Sequence, residues 1–228
     1  MAVCGTDGHQ HVHDPIMGKT PAAEDANELD KPGARPVTPE NWMHPPADGW
    51  TFDQVKESVL PFAWEFLDGK IRVREVTSWW HDQVRDELAF RLRRARPDHF
   101  NVNIERCTLL DERNVPKPDV VVFDKRGLDL RALGCTPAEN TVLAFEVVSP
   151  LSRSEDRHAK HGLYAAAGIP SYWRVERGED DLPVVHEFWL HHETGVYALS
   201  PERATHVGKL VTSVPFPVSV DLRSLIDG

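Results

Sequence analysis

Two short apolar runs, PDVVVF at Pro118–Phe123 and TVLAFEVV at Thr141–Val148, decide how this chain folds. Both are rich in valine and aromatic residues and read as strands. The second is apolar at odd and even positions alike, the pattern of a strand buried on both faces of a helix-covered sheet. Each run carries an acid. Asp119 stands at the polar start of the first, and Glu146 is the only charged residue of the second. A carboxylate in such a strand is costly to desolvate unless it is paired, protonated or bound to a metal. Two of them on neighbouring strands offer the oxygen ligands that Mg²⁺ takes. Taken alone they leave a structural alternative open, with Asp119 capping the turn after Pro118 and Glu146 paired to an arginine.

Upstream, Thr51 and Gln54 fit a capping box opening a helix over Phe52–Leu60, stopped by Pro61. Extended segments Phe62–Leu67 and Lys70–Arg74 flank Asp68-Gly69, a hairpin signal. Ser78 caps a helix over Trp79–Arg94, with Trp80, Val84, Leu88 and Leu92 along one face. Asn101–Leu110 reads as one strand. Downstream, Ser154–Ala167 is a helix ended by Gly168 and Pro170, followed by a strand over Ser171–Val175. Val184–Leu190 and Gly195–Leu199 form a hairpin around His191–Thr194. The expected fold is α/β (α+β), a central mixed β-sheet flanked by helices.

Residues 1 to about 48 are rich in Pro, Gly, Ala, Asp and His and lack apolar periodicity. We expect a disordered leader over residues 1–37 and one domain over residues 38–228. His9, His11 and His13 alternate and could catch a transition metal, although solvated polar residues are the simpler reading; Met17 is an alternative start. No apolar run reaches the roughly 18–20 residues that span a bilayer. Cys4, Cys107 and Cys135 are odd in number and widely spaced, which argues against a disulfide framework and against a thiolate zinc site. Cys107 reads as a small core residue. The expected location is the cytoplasm. The net charge of −10 opposes nonspecific wrapping of nucleic acid, but six acids against three bases in residues 1–36 place −3 of it in the leader.

The stretches VPKPDVVVFD (115–124) and LAFEVVSPLSRSEDRHAKHGLYAAAGIPSYWRV (143–175) resemble the Uma family of restriction-endonuclease-like proteins, within the PD-(D/E)XK nuclease superfamily. The resemblance extends back to WEFLDGKI (64–71) and covers roughly residues 38–200. It implies a restriction-endonuclease-like fold and a Mg²⁺-dependent endonuclease acting on DNA, with Mn²⁺ as a possible substitute. It assigns Asp119 and Glu146 as metal ligands, with the backbone carbonyl of Val147 as a further one. Glu65, in WEFLDG, matches the acidic residue of the family's first hairpin and would complete the metal shell. The sequence departs at the lysine. The superfamily places it two residues after the second acid, where this chain has Val148; the family carries it on the following helix, where this chain has Lys160. Without the resemblance, Lys160 reads as a solvated lysine.

Other candidates carry less. His81 opens a helix near the site and could touch phosphate, although a structural cap histidine is the simpler reading. His158 and His161 flank Lys160 and are expected to face solvent, at least in part. Trp79, Trp80, Trp173 and Trp189 read mostly as core. Lys117, Arg153, Arg157 and Lys160 would wall a basic cleft. Rival readings are a catalytically inactive nuclease-fold module binding nucleic acid or a protein partner, and a metal-dependent hydrolase of a small phosphate ester. A homodimer is possible, because nucleases that cut both strands often pair about a two-fold axis.

Overall fold

A computed structural model describes residues 36–148 and 154–227, with the side chains of 154–158 left aside. Residues 1–35 of the expected leader, with its three histidines, Cys4 and Met17, lie outside the described residues, as do Arg153 and the side chains of Arg157 and His158.

Helix α1 (Phe52–Val55) is a single turn. The Gln54 side chain accepts from the Thr51 backbone N–H at 2.8 Å, as the capping box requires, but the helix stops well short of Pro61. Hairpin β1 (Trp64–Leu67) and β2 (Lys70–Val73) turns at Asp68 and Gly69, both with positive φ (50° and 66°). Two left-handed central residues are what a tight hairpin turn with native twist demands. Order starts earlier than Thr51. Val37 and Trp50 are buried with Val55, Phe66, Ile71 and Val115 in a small core beneath this hairpin.

Helix α2 (Trp79–Ala95) matches the expected span, and Ser78 Oγ accepts from the His81 N–H. The run expected as one strand divides into β3 (Phe100–Ile104) and β4 (Thr108–Leu109). Glu105 is the cause: its N–H makes a last rung to the Asp119 carbonyl, and its φ of +50° then turns the chain out of the extended conformation, so the ladder ends there. Then come β5 (Val120–Asp124), β6 (Thr136–Pro137), β7 (Thr141–Val148), α3 (Ser154–Ala166), β8 (Ser171–Arg177), β9 (Pro183–His191), β10 (Val196–Leu199), β11 (Thr205–Val207), β12 (Lys209–Thr212) and β13 (Val218–Asp221). The last three strands lie beyond the sequence reading.

Short parallel pairing of β4 with β6 sets Thr108 opposite Thr136, and so brings Cys107 beside Cys135, with Cα atoms 4.9 Å apart. The two are joined by a disulfide, which corrects the expectation of free thiols. Spacing along the chain carried no sign of a pairing made by two distant two-residue strands. The cysteine count is therefore no reason to assign a reducing compartment. Among the described residues no helix is long and apolar enough to cross a membrane.

The central sheet runs β10-β9-β8-β7-β5-β3, with β11 also on β9. Only β7 and β8 are parallel; every other neighbouring pair in it is antiparallel. Strand β7 sits inside and alternates between two cores. Leu143, Phe145 and Val147 join α2 and the β12–β13 hairpin on one face, while Ala144 joins Tyr164, Ala165 and Ile169 at α3 on the other. Period-two alternation then turns Glu146 toward α3, the same way as Ala144. The mixed α/β architecture with a central mixed sheet is as the sequence implies.

The hairpin turn gives a test. A Cβ on Gly69 would meet Arg113 Nη2 at 2.8 Å and Gly49 Cα at 3.2 Å, whereas one on Gly127, also at positive φ (77°), meets nothing within 4 Å. Both Gly→Ala changes carry a left-handed penalty of about 1–2 kcal/mol. Gly69→Ala should lower the thermal midpoint further than Gly127→Ala; equal shifts would show that the close approach of the Gly49 segment does not matter.

Candidate active site

Five pieces of chain converge beside the C-terminal end of β7. The pair Val120–Phe145 is the first of the β5–β7 ladder, so Asp119 lies one step beyond it, next to Glu146. Asp119 is 4% exposed. Its Oδ2 accepts from the Val147 backbone N–H at 2.8 Å and faces His81 Nε2 at 3.2 Å; Oδ1 faces Arg74 Nη2 at 3.3 Å. Arg74 follows β2, and it also donates to the Lys117 carbonyl (3.0 Å) and meets Glu105 (3.4 Å). Burial pushes the Asp119 carboxyl up, but His81, Lys160 and the Val147 amide hold it below its ordinary value.

His81 occupies the first turn of α2, where the Ser78 cap fixes its backbone. Its Nδ1 lies 3.3 Å from Asp82 Oδ1, so a carboxylate faces each ring nitrogen. Both nitrogens then serve best as donors, which is the imidazolium form. Burial opposes that charge, yet Asp119 and Asp82 hold its pKa above the ordinary value.

Lys160 is the member whose direction the sequence could not give. Its Nζ sits 2.9 Å from Glu65 Oε2 and 3.3 Å from Glu146 Oε1. Its side chain is 13% exposed, which disposes of a solvated lysine. Four residues on, Tyr164 donates its hydroxyl to the same Glu146 oxygen at 2.7 Å. Helical i, i+4 spacing puts both groups on the face turned to the sheet. Burial works against the ammonium, but Glu146, Glu65 and Asp119 together hold its pKa above the ordinary value. Glu146 behaves oppositely. Burial, with Asp119 and Glu65 nearby, pushes it up to about 7 even though Lys160 pulls the other way. Glu65 Oε2 also accepts from the Lys117 backbone N–H at 3.2 Å, which ties the hairpin to the segment leading into Asp119.

The structure thus brings Glu65, Asp119, Glu146 and Lys160 together, with Val147 held beside them through its amide. Lys117 is at hand, its Nζ 5.1 Å from the Trp64 ring centroid. His161 is partly exposed, and its ring packs edge-on against Tyr172, Phe188 and Tyr197 at 5.0–5.3 Å. Trp80 and Trp173 are core, but Trp79 is 66% exposed. The sequence does not mark Arg74, and it puts His81 near the site as a cap histidine or a phosphate contact, not as a partner of Asp119. Nothing in the hairpin pattern marks Arg74, and only the crossing of α2 over Asp119 gives His81 a partner.

The donor set is all oxygen. Glu146 held near 7 shows more buried carboxylate than Lys160 compensates. A divalent cation is the chemical complement of that surplus. Among the described residues no group of three or more His, Cys, Asp or Glu side chains forms a ready cage. Mg²⁺ does not require one, because it takes one or two carboxylates and keeps waters for the rest. Asp119 and Glu146 can supply those two, so the residues fit the ion.

Such a sheet, with acids at the end of two adjacent strands and a lysine facing them, is a nuclease fold. A crystal structure titled "putative nuclease belonging to DUF820 from Anabaena variabilis ATCC 29413" is similar, with a TM-score of 0.57 at 15% identity, over 77% of this chain and 96% of that one. The family model Uma2, described as "Putative restriction endonuclease", matches residues 52–208, and the chain belongs to that family. No curated protein matches the chain.

The Glu146 shift has a sign that can be measured. Its folded pKa lies above the ordinary 4.5, so the native state holds the extra proton. The stability linked to it is complete below about pH 4.5 and is lost as pH rises through about 7. In metal-free buffer, urea unfolding should show declining stability across this window, and Glu146→Gln should flatten the decline. An unchanged pH profile in the variant would assign the decline to other groups, His81 first.

Proposed function

We propose that this protein is a Mg²⁺-dependent endonuclease that hydrolyses phosphodiester bonds of DNA, with Mn²⁺ able to replace Mg²⁺. The observation that carries the reading is the Lys160 ammonium set between Glu65 and Glu146, beside Asp119. Metal ligation falls to Asp119 and Glu146, with the Val147 carbonyl as a further ligand and Glu65 completing or positioning the shell. The ion, when bound, lowers the pKa of a water and offsets charge developing on the phosphate.

The chain's own residues have separate tasks. His81, Arg74 and the Val147 N–H fix the Asp119 carboxylate from three sides. Tyr164 orients Glu146 by its hydroxyl. Lys160 stays protonated throughout, since its pKa is raised, so it acts as a fixed positive charge that stabilises the pentavalent transition state or orients the attacking water. A two-fold dimer would place two such sites on opposite strands of a duplex.

One feature favours the rival reading of an inactive nuclease-fold module that binds nucleic acid or a protein. Asp119 and Lys160 already have partners for their charges within the chain.

Cleavage of supercoiled plasmid separates the two. Wild type should nick or linearise DNA with Mg²⁺ or Mn²⁺ and stop on addition of EDTA. Asp119→Ala and Glu146→Ala should abolish cutting, and Lys160→Met should slow it by roughly 10²–10³-fold. Removing one partner of a buried ion pair costs about 3–5 kcal/mol, so each variant needs a melting curve showing that it is folded at the assay temperature. Equal cutting by wild type and folded variants would mean a contaminating nuclease and would sink the assignment.

A further inference from the structure

We infer that the C-terminal half of α2 and the Pro217–Ser219 segment form a docking groove for the phosphate backbone of duplex DNA, separate from the carboxylate site. This rests on the nuclease reading above and deepens it. The chain has 36 acids against 26 Lys and Arg, yet residues 91–96 (RLRRAR) hold four arginines and no acid. Arg91 and Arg94 line a groove of about 400 Å³ with Ala95, Pro217, Val218 and Ser219.

Arginines in the last turn of a helix also favour its negative end, and that effect alone could place them there. Their donors say more. Arg93 is committed within the fold, its Nε donating to the Val102 carbonyl at 3.0 Å. Arg91 pairs loosely with Glu87 at 3.6 Å; its Nε is buried, but its side chain is 40% exposed, so the end of its guanidinium reaches the surface. Arg94 meets the face of the Phe90 ring at 5.6 Å, and no carboxylate pairs with it among the described residues. The exposed guanidinium ends of Arg91 and Arg94 therefore line the groove with N–H donors that only one loose ion pair engages, and a planar guanidinium fork matches phosphate oxygens. Phosphates spaced along a polymer suit a groove with two such forks better than a lone anion does.

Placement along α2 agrees with a long ligand. His81, at the start of this helix, hydrogen-bonds Asp119. Arg91 and Arg94 follow ten and thirteen residues later, about 15–20 Å along the axis at 1.5 Å per residue. That interval corresponds to roughly four to six phosphates of one strand at 3.4 Å each.

The test measures binding apart from cutting. Fluorescence anisotropy of a labelled 20-base-pair duplex in metal-free buffer would be recorded against salt for wild type, R91Q/R94Q and R126Q. Arg126 is an exposed arginine already paired to Asp124, and so controls for net charge. R91Q/R94Q should bind at least about tenfold more weakly near 0.1 M salt, with a log–log salt slope shallower by about 1.8, or 0.9 per lost phosphate contact. R126Q should bind as wild type. Unchanged affinity and slope in R91Q/R94Q, or an equal loss in R126Q, would overturn the groove. Wild type that binds through the groove but cuts nothing with Mg²⁺ would overturn the nuclease reading alone. Wild type that cuts while R91Q/R94Q binds undiminished would overturn the groove alone.

Discussion

The Lys160 ammonium, held between Glu65 and Glu146, is the contact on which the site depends. Glu65 comes from a hairpin outside the central sheet, Glu146 from the strand at its middle, and Lys160 from the helix laid over it. One buried cation thus fastens three elements that share no backbone ladder. Without it, Glu146 and Glu65 would repel each other and Asp119 in a setting where water cannot screen them. The cluster is affordable in its folded form because cations reach it from three directions: Lys160 from α3, Arg74 from the hairpin, and His81 from α2.

This arrangement accounts for an unusual position of the lysine. Two residues after Glu146, Val148 shares the α3-facing side of β7 but has no charge to offer. Lys160 reaches the same space from above because α3 packs through Tyr164, Ala165 and Ile169 onto Ala144 and Tyr172. Its charge faces the second acid from the following helix, not from the strand. The aromatic packing of His161 among Tyr172, Phe188 and Tyr197, next to Lys160 in the chain, helps fix the rotation of that helix.

Asp119 and Glu146 illustrate how neighbouring acids can differ. Asp119 stands at a strand start, where a backbone amide, an imidazole and a guanidinium reach it, and its carboxyl is held low. Glu146 is in the body of β7 with one lysine and one phenol, and burial holds its carboxyl high. Both are nearly inaccessible, so exposure does not separate them; the number of donors does. Lys160, Arg74 and His81 explain how an acidic chain can gather three carboxylates in one place, and Glu146, pushed up to about 7, is the one they compensate least.

Much of the fold was legible because its signals are local. The Asp68-Gly69 turn, the Ser78 cap, the period-four stripe from Trp80 to Leu92 and the Gly168 stop depend on neighbours a few residues away. The apolar identity of β7 marked Glu146 by contrast alone. What failed carried no local mark: the break at Glu105, where a left-handed φ follows the last rung to Asp119, and the Cys107–Cys135 bond, set by two-residue strands. Sequence by itself marked Asp119 and Glu146 as acids in apolar strands, where a lone charge has few fates but to be neutralised. Only the tertiary structure decided what neutralises them. The charges of Arg74, His81 and Lys160 carry no mark of direction in a linear chain, and acquire one only when hairpin, helix start and helix face are packed around the same strand end.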